Sequence, residues 1–496
     1  MPPIRPLRPT VRQLASLPTP PHAPAAPRGG LPWTFAITAL ALFMFALDRL
    51  IVTNALPDIE RDLGASVTAL EWTINAFTLT FSVLLLTGAA LGDRFGRRRM
   101  FTIGLGLFAA GSAAAALAPS APALIAARAL QGAGGAIIAP LSLTLLTAAT
   151  PPHRRGAVLG AWGATAGIAA AGGPVVGGAL TGTLSWHWIF WLNVPIGVAL
   201  IPLAHAKLAE SHGLHPRLDL PGLALSGAGL LALVWGLVDA GRAGWTSPAV
   251  LAALCAGTLA LAGFIAWEQR APAPMLPLAF FGARAFATAG AISALAYGGL
   301  FGALFLIGQL LQTGFGADPL RAGLGLLPMT AAMIVTAPAA GALSDRFAAR
   351  RLLSAAVVLE AVALAWLALH ARPGASYLEL AAGLAAVGVG AAGLFAPIQA
   401  VQLGSVGAAQ LGQASGAAVA IRELGGVVGV SVIAAIFTAH GTTAGPAAFL
   451  AGARPALLAA ALAVAAAAVI AALALPRRAD TTPLEVAEAA PARPAA

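Results

Sequence analysis

Long apolar runs alternate along the chain with short breaks marked by charge, proline or glycine, and the runs recur fourteen times. Their limits are 33–56, 71–91, 100–118, 122–148, 157–180, 188–209, 219–239, 248–268, 286–313, 321–344, 352–370, 377–402, 411–438 and 455–475. A helix needs about 20 mostly apolar residues to cross the hydrocarbon core of a bilayer, and every run comes close to that length or exceeds it. None shows the charged stripe by which a soluble helix faces water. The pattern predicts an all-α polytopic membrane protein with fourteen transmembrane helices.

Composition agrees: 59% of the residues are hydrophobic and 9% charged, with mean hydropathy +0.86, where a soluble domain carries roughly 25% charged residues. The partner this implies is the lipid bilayer. The net charge of +10 does not indicate nucleic acid, because the arginines and the single Lys207 form small clusters between apolar runs rather than one basic face. Cys255 is the only cysteine and the eight histidines are scattered, so neither a disulfide nor a metal site is expected. No phosphate-cradling P-loop is present, which argues against an ATP-driven pump. No constellation for catalysis appears, so the chain is not expected to be an enzyme or to hold a cofactor; an ion gradient is left as the energy source.

Charge orients the spans. With the N-terminus inside, the cytosolic segments hold twenty basic residues and the outer segments five, Arg61, Arg242, Arg321, Arg372 and Arg454. By the positive-inside rule both termini are cytosolic. The Pro- and Arg-rich residues 1–32 and the polar residues 476–496 read as disordered cytosolic tails, with no signal peptide.

An internal echo divides what lies between. "GAALGDRFGRRR" from Gly88 and "AGALSDRFAARR" from Ala340 align on Asp93 and Asp345, 252 positions apart, and both fall on the cytosolic side. Two parallel six-helix bundles, 33–209 and 286–475, would be separated by two inserted helices within 210–285.

The first of those loops, with Gly88, Asp93, Arg94, Gly96 and Arg97, resembles the signature loop of the major facilitator superfamily. Its glycines permit close helix approach and a tight turn, Asp93 can pair with arginine or accept from a helix N-terminus, and its arginines suit an anionic inner leaflet. The resemblance implies a gating role. "RALQGAGGA", with Arg128 and Gln131, is similar to a motif that the family associates with proton coupling. "GAWGATAGIAAAGGPVVGG", with Gly160, Gly173, Pro174, Gly177 and Gly178, looks like the antiporter motif of the drug exporters, with Ala169 where a glycine is usual. "WHWIFWLNVPIG" from Trp186 resembles a stretch typical of the fourteen-span drug:proton antiporters of the QacA/EmrB type, His187 replacing an arginine; "LDRLIVTNALP" around Asp48 and "GQASGAAVAIRELGG" from Gly412 fit the same family. The implied fold is the major facilitator fold.

Ionisable residues inside a membrane are expensive and mark functional sites. Asp48 and Arg128 sit some eight and six residues inside the outer ends of spans one and four, so both are roughly 9–12 Å deep at 1.5 Å per residue, and Asp48 can reach Arg128 or Arg49. Burial disfavours an ionised carboxylate while a nearby arginine favours it, and a residue poised between the two can take a proton from one side and release it to the other. Asp48 is the expected proton carrier. In span thirteen Arg422 and Glu423 form a second candidate pair, with Glu423 either a second carrier or simply the partner of Arg422. Glu360 belongs to a span that the fold places peripherally. Asp58, Glu60 and Asp62 read as a solvated outer rim. Asn54, Trp72, Asn75, Gln309, Gln312 and Gln399 are expected to line the substrate cavity.

The resulting expectation is a multi-pass inner-membrane exporter that exchanges inward-moving protons for small hydrophobic or cationic drugs by alternating access, with antibiotic resistance as its outcome. A periplasmic adaptor enters only if the host has an outer membrane. The alternatives are a dedicated exporter of a single metabolite, antibiotic or peptide-like product, and a non-coupled facilitator or receptor.

Overall fold

A computed structural model describes residues 29–475 except 66, 214–218, 273, 275, 318, 345, 408–409 and 443–444. Asp345 of the repeated loop and nearly all of both expected tails lie outside the described residues.

Fourteen long helices follow the fourteen apolar runs among the described residues. They are α1 Gly30–Leu63, α2 Val67–Phe95, α3 Arg97–Ala116, α4 Ala121–Ala149 and α5 Arg155–Thr183. Helix α6 is made of His187–Trp191 and Asn193–Lys207 on either side of Leu192, followed by α7 Leu220–Ala243 and α8 Pro248–Glu268. The remainder are α9 Arg284–Gln309, α10 Leu327–Ser344, α11 Ala349–His370, α12 Tyr377–Gly404, α13 Leu411–His440 and α14 Pro446–Leu473. Thirteen of them, all but α5, are long and apolar enough among the described residues to cross a membrane.

Several helices outrun the apolar pattern. Helix α1 continues past residue 56 to Leu63, where Gly64 caps it in the left-handed region at φ 58°. Asp58 therefore lies on helix and pairs with Arg61 one turn later, while Asp62 accepts from the Trp186 indole at 2.9 Å. The expected acidic rim is thus part of α1 and tied to neighbouring side chains. Helix α14 starts at Pro446 and carries Pro455 within it.

Contacts between helix ends fix the topology. The Gly29 amide donates to the Lys207 carbonyl at 3.1 Å and the Arg97 amide to Ser211 at 2.9 Å. Gly341 near the end of α10 packs on the Gly156 backbone at the start of α5, Gly412 packs on Asp93, and Arg350 donates to the Ala472 carbonyl. Starts of odd-numbered helices and ends of even-numbered ones therefore share one face, the face that carries the arginine-rich loops.

Three large apolar cores and one small cluster follow among the described residues. One is built entirely from residues 292–475. A second, toward the face opposite the arginine-rich loops, draws only on residues 51–191. The third lies toward the arginine-rich face, where Phe101, Leu105 and Leu146 of the first half meet Leu403, Leu411 and Ala414 of the second. The halves thus share that core and a small buried cluster of Ala164, Ala337 and Ala392. Small residues let the backbones meet there: Gly160 is held against the Ala337 carbonyl, and Gly341 against that of Gly156, a small-xxx-small crossing on both helices. Within the first half, Pro140 cannot donate to the Ala136 carbonyl, and Gly88 of α2 packs against that freed oxygen. Helices α7 and α8 pack on each other, and α7 rests on α2 of one half and α13 of the other, the Ser431 hydroxyl donating to the Leu237 carbonyl at 3.4 Å.

Candidate functional site

Asp48 lies midway along α1 with its side chain fully enclosed. Its Oδ2 accepts from Arg128 Nη1 at 2.5 Å, and its Oδ1 from Gln131 Nε2 at 3.0 Å and from Asn193 Nδ2 at 2.7 Å. Arg128 and Gln131 stand one turn apart on α4, so a single helix face delivers both. Arg128 also donates to the Gln131 amide oxygen at 2.8 Å and to the Thr73 carbonyl of α2 at 3.2 Å. The second Gln131 proton goes to Ser112 of α3 at 2.7 Å. The Arg128 guanidinium lies over the Phe77 ring, 4.4 Å from its centroid. Five helices of the first half thus converge on one ion pair in which both carboxylate oxygens are hydrogen-bonded. A buried pair is tolerated when its geometry is good and its remaining donors and acceptors are satisfied.

Arg49, the next residue, goes elsewhere. Its Nη1 donates to Glu423 Oε2 of α13 at 3.0 Å, and so joins the two halves. The other oxygen of Glu423 accepts from Arg422 Nη2 at 3.1 Å and Nε at 3.3 Å. The expected contact of Asp48 with Arg128 is present. Asp48 is paired with Arg128 rather than with Arg49, since successive side chains on a helix point about 100° apart. Glu423, for which a single arginine partner was one expectation, has two.

The gating residues are also brought together. Asp93 accepts from Arg97 Nε at 2.8 Å, and both side chains are buried. Its carboxylate also lies against Gly412 at the start of α13, so the arginine and the helix N-terminus expected as alternatives both stand beside it. Gly96 turns the chain at φ 102°, a conformation that favours glycine, and Gly88 has the close contact already described. Arg94 is exposed, with its guanidinium 5.0 Å from the Phe95 ring centroid. Glu210, which no motif contains, accepts from the Arg98 amide at 2.9 Å and the Arg99 amide at 3.2 Å, placing a negative charge at the N-terminus of α3.

Of the antiporter motif, Gly160 makes the crossing with α10, and Gly173 and Gly177 are buried in α5. Pro174 and Gly178 lie on that helix outside the residues whose side chains are described. The six expected cavity residues are spread over α1, α2, α9, the turn after it and α12. Asn54 has no described side chain, and Trp72 and Asn75 are half-buried on α2. Gln309 donates back to its own helix, at the Phe305 carbonyl, at 2.9 Å. It stands about 18 Å along α9 from Tyr297 at 1.5 Å per residue, and Gln312 is exposed beyond it in a π turn, Leu310–Gly314. Gln399 is buried on α12, and its Oε1 has no hydrogen-bond partner. What surrounds the charges instead is aromatic. Arg422 lies 5.8 Å from the Tyr297 ring centroid and 6.0 Å from that of Phe395. Phe395 stacks on Trp162 at 5.9 Å, and Arg49 is 5.9 Å from Phe81.

Residue-by-residue reading of the sequence therefore missed Asn193, Ser112, Glu210 and the inter-half role of Arg49. Asn193 had a signal, its place inside the Trp186 motif. Ser112 and Glu210 had none.

Comparison with known proteins bears on what such a site serves. The family profile described as Major Facilitator Superfamily matches residues 38–312 and 289–496. The Tetracenomycin C resistance and export protein of Streptomyces glaucescens is 34% identical over 429 residues, 84% of this chain and 78% of that protein. The Multidrug resistance protein Stp of Mycobacterium tuberculosis is 35% identical over 408 residues, 82% of this chain and 76% of its own. Among solved structures, the proton:xylose symporter XylE bound to 6-bromo-6-deoxy-D-glucose superimposes with a TM-score of 0.63 at 15% identity, covering 90% of this chain and 96% of XylE. At that identity the likeness concerns the fold.

Proposed function

Because this chain belongs to the Major Facilitator Superfamily, we propose that it is a proton-coupled exporter of hydrophobic, drug-like molecules, of the fourteen-span drug:proton antiporter type. It is a multi-pass membrane protein of a transporter family; its placement in the plasma (inner) membrane with both termini cytosolic is part of the proposal. So is the division into moving bodies, 33–209 against 286–475, with 210–285 inserted between them. An adaptor is needed only where an outer membrane has to be crossed.

The observation that carries the coupling is the enclosed Asp48 carboxylate with its ready cation, Arg128. To bind a proton, Asp48 must give up that arginine, and to release the proton it must regain it. Protonation state and helix geometry are thereby linked. Alternating access supplies the other half: the shared core at the arginine-rich end must open when the opposite end closes. Asp93, paired with Arg97 and packed against Gly412 of the other half, then acts as the contact between halves that breaks and re-forms.

A second reading, a dedicated exporter of one product, is favoured by a relative that is named for a single compound, tetracenomycin C. Efflux of ethidium, rhodamine 123 and fluorescein from proteoliposomes, with and without an imposed pH gradient, tests the first reading. At least one dye should move only with the gradient, and Asp48→Asn should slow it more than tenfold. Gradient-driven efflux unchanged by Asp48→Asn would move the coupling role to Glu423. A protein that moves none of the three but protects cells against one antibiotic would put the single-product reading ahead.

A further inference from the structure

The charges between the halves do not balance. Arg49 and Arg422 share one carboxylate, Glu423, leaving one positive charge in excess. No other described carboxylate at this depth offsets it. Asp48 is committed to Arg128 inside the first half. Glu360 of α11 is 0% exposed, and neither of its carboxylate oxygens has a hydrogen-bond partner, so it pairs with neither arginine. Both arginines remain reachable, with 31% of the Arg49 side chain and 17% of the Arg422 side chain exposed, against 5% for Glu423. Each guanidinium has five N–H donors, and Glu423 takes one from Arg49 and two from Arg422. Unused donors therefore accompany the unused charge.

The surroundings are aromatic and come from both halves: Phe81 of α2, Trp162 of α5, Tyr297 of α9 and Phe395 of α12. Trp162 is 4% exposed, and its indole N–H, beside Phe395, has no hydrogen-bond partner. A buried donor without a partner is costly, and a ligand acceptor would relieve that cost. In a low-dielectric cleft an excess guanidinium attracts an anion and repels a cation, and its planar fork matches a carboxylate in two-point contact. Aromatic walls select a flat apolar body.

We propose that the cleft between α1, α2, α5, α9, α12 and α13 takes amphipathic aromatic anions, a planar ring system bearing a carboxylate or phenolate, with Arg422 and Arg49 binding the charge and Phe395 and Trp162 the rings. This rests on the exporter reading and narrows its substrate from hydrophobic molecules at large to those of negative charge.

Fluorescein and rhodamine 123 share a xanthene core and carry opposite charge, so they isolate the electrostatic term. Fluorescence anisotropy of each dye is titrated with the full chain in lipid nanodiscs. Fluorescein should bind at least tenfold more tightly than rhodamine 123. Arg422→Gln should cost fluorescein about tenfold and close the gap, whereas Arg422→Lys, which keeps the charge, should retain the preference. Glu423→Gln raises the excess charge to two and should widen it. Equal or tighter binding of rhodamine 123, no binding of either dye, or fluorescein binding indifferent to Arg422→Gln in folded protein would each overturn the assignment. Proteoliposome efflux separates the two claims. Fluorescein bound with the expected preference but never moved by a gradient would remove the export reading and leave the anion site. Gradient-driven efflux of rhodamine 123 alone would do the reverse.

Discussion

Asp48 and Arg49 are neighbours in the chain and belong to different machines. Asp48 is enclosed by its own half, with Arg128, Gln131 and Asn193 on its two oxygens. Arg49 leaves that half and meets Glu423, 374 positions away, in a cleft that water still reaches. One contact is enclosed and internal to a bundle; the other spans the surface along which the bundles must move. The difference teaches that a charge in a membrane helix has to be judged by the neighbours it reaches, since position along the helix is almost the same for two adjacent residues while their burial is not.

Breaking the enclosed pair should have the largest effect. Arg128→Ala leaves Asp48 buried without its cation, and removing one partner of such a pair costs about 3–5 kcal/mol. Thermal unfolding in detergent should show a large drop, and adding Asp48→Ala should restore part of it. A loss no greater than that of an exposed pair would mean that water enters the network. Next comes the contact that holds the halves together. Gly160→Val places atoms against the Ala337 backbone, and overpacking of that kind costs about 1–3 kcal/mol. Gly308→Ala, where nothing lies within 4 Å, is the control and should leave the melting temperature almost unchanged.

The inter-half pair is expected to matter less for stability and more for motion. Arg49→Gln gives up a partly exposed ion pair worth about 1 kcal/mol or less, but it frees the surface between the halves. Cysteine labelling at an engineered Ala420→Cys site on α13 should then become faster. An unchanged labelling rate together with a large stability loss would show that Arg49 is structural, like Arg128. The smallest effect should come from Glu360→Gln. Because neither Glu360 oxygen is hydrogen-bonded, the amide loses no partner, and the change in unfolding free energy should stay within about 1 kcal/mol. A larger loss would reveal a partner for Glu360 and sharpen the contrast between the halves.

Much of this was legible in the sequence. The apolar runs located all fourteen helices, because a bilayer demands a minimum apolar length whatever the neighbours are. The glycine motif marked α5 as a helix that packs closely, because only small residues allow two backbones so near; that its partner is α10 came from the structure. Equal depth on helices that the family resemblance placed together allowed Asp48 to meet Arg128, with Arg49 as the alternative, and the structure selects Arg128. Asn54, Trp72, Asn75, Gln309, Gln312 and Gln399 were chosen as polar or aromatic residues of the spans inferred to line the cavity, whereas the rings found beside Arg49 and Arg422 are Phe81, Tyr297 and Phe395. A polar residue's type does not say which way its helix is rotated. Glu360, expected on a peripheral helix, is completely buried against Gly390 of α12.

By itself the sequence determined what depends on one helix at a time: where the long apolar helices run, and the positions where charge interrupts them. Only the tertiary structure decided which charges meet. The pairing of Arg49 with Glu423, the excess positive charge beside Trp162 and Phe395, and the closed arginine-rich end depend on how helices from the two halves rotate and cross. Those angles are set by side chains hundreds of residues apart packing together, and no local pattern encodes them.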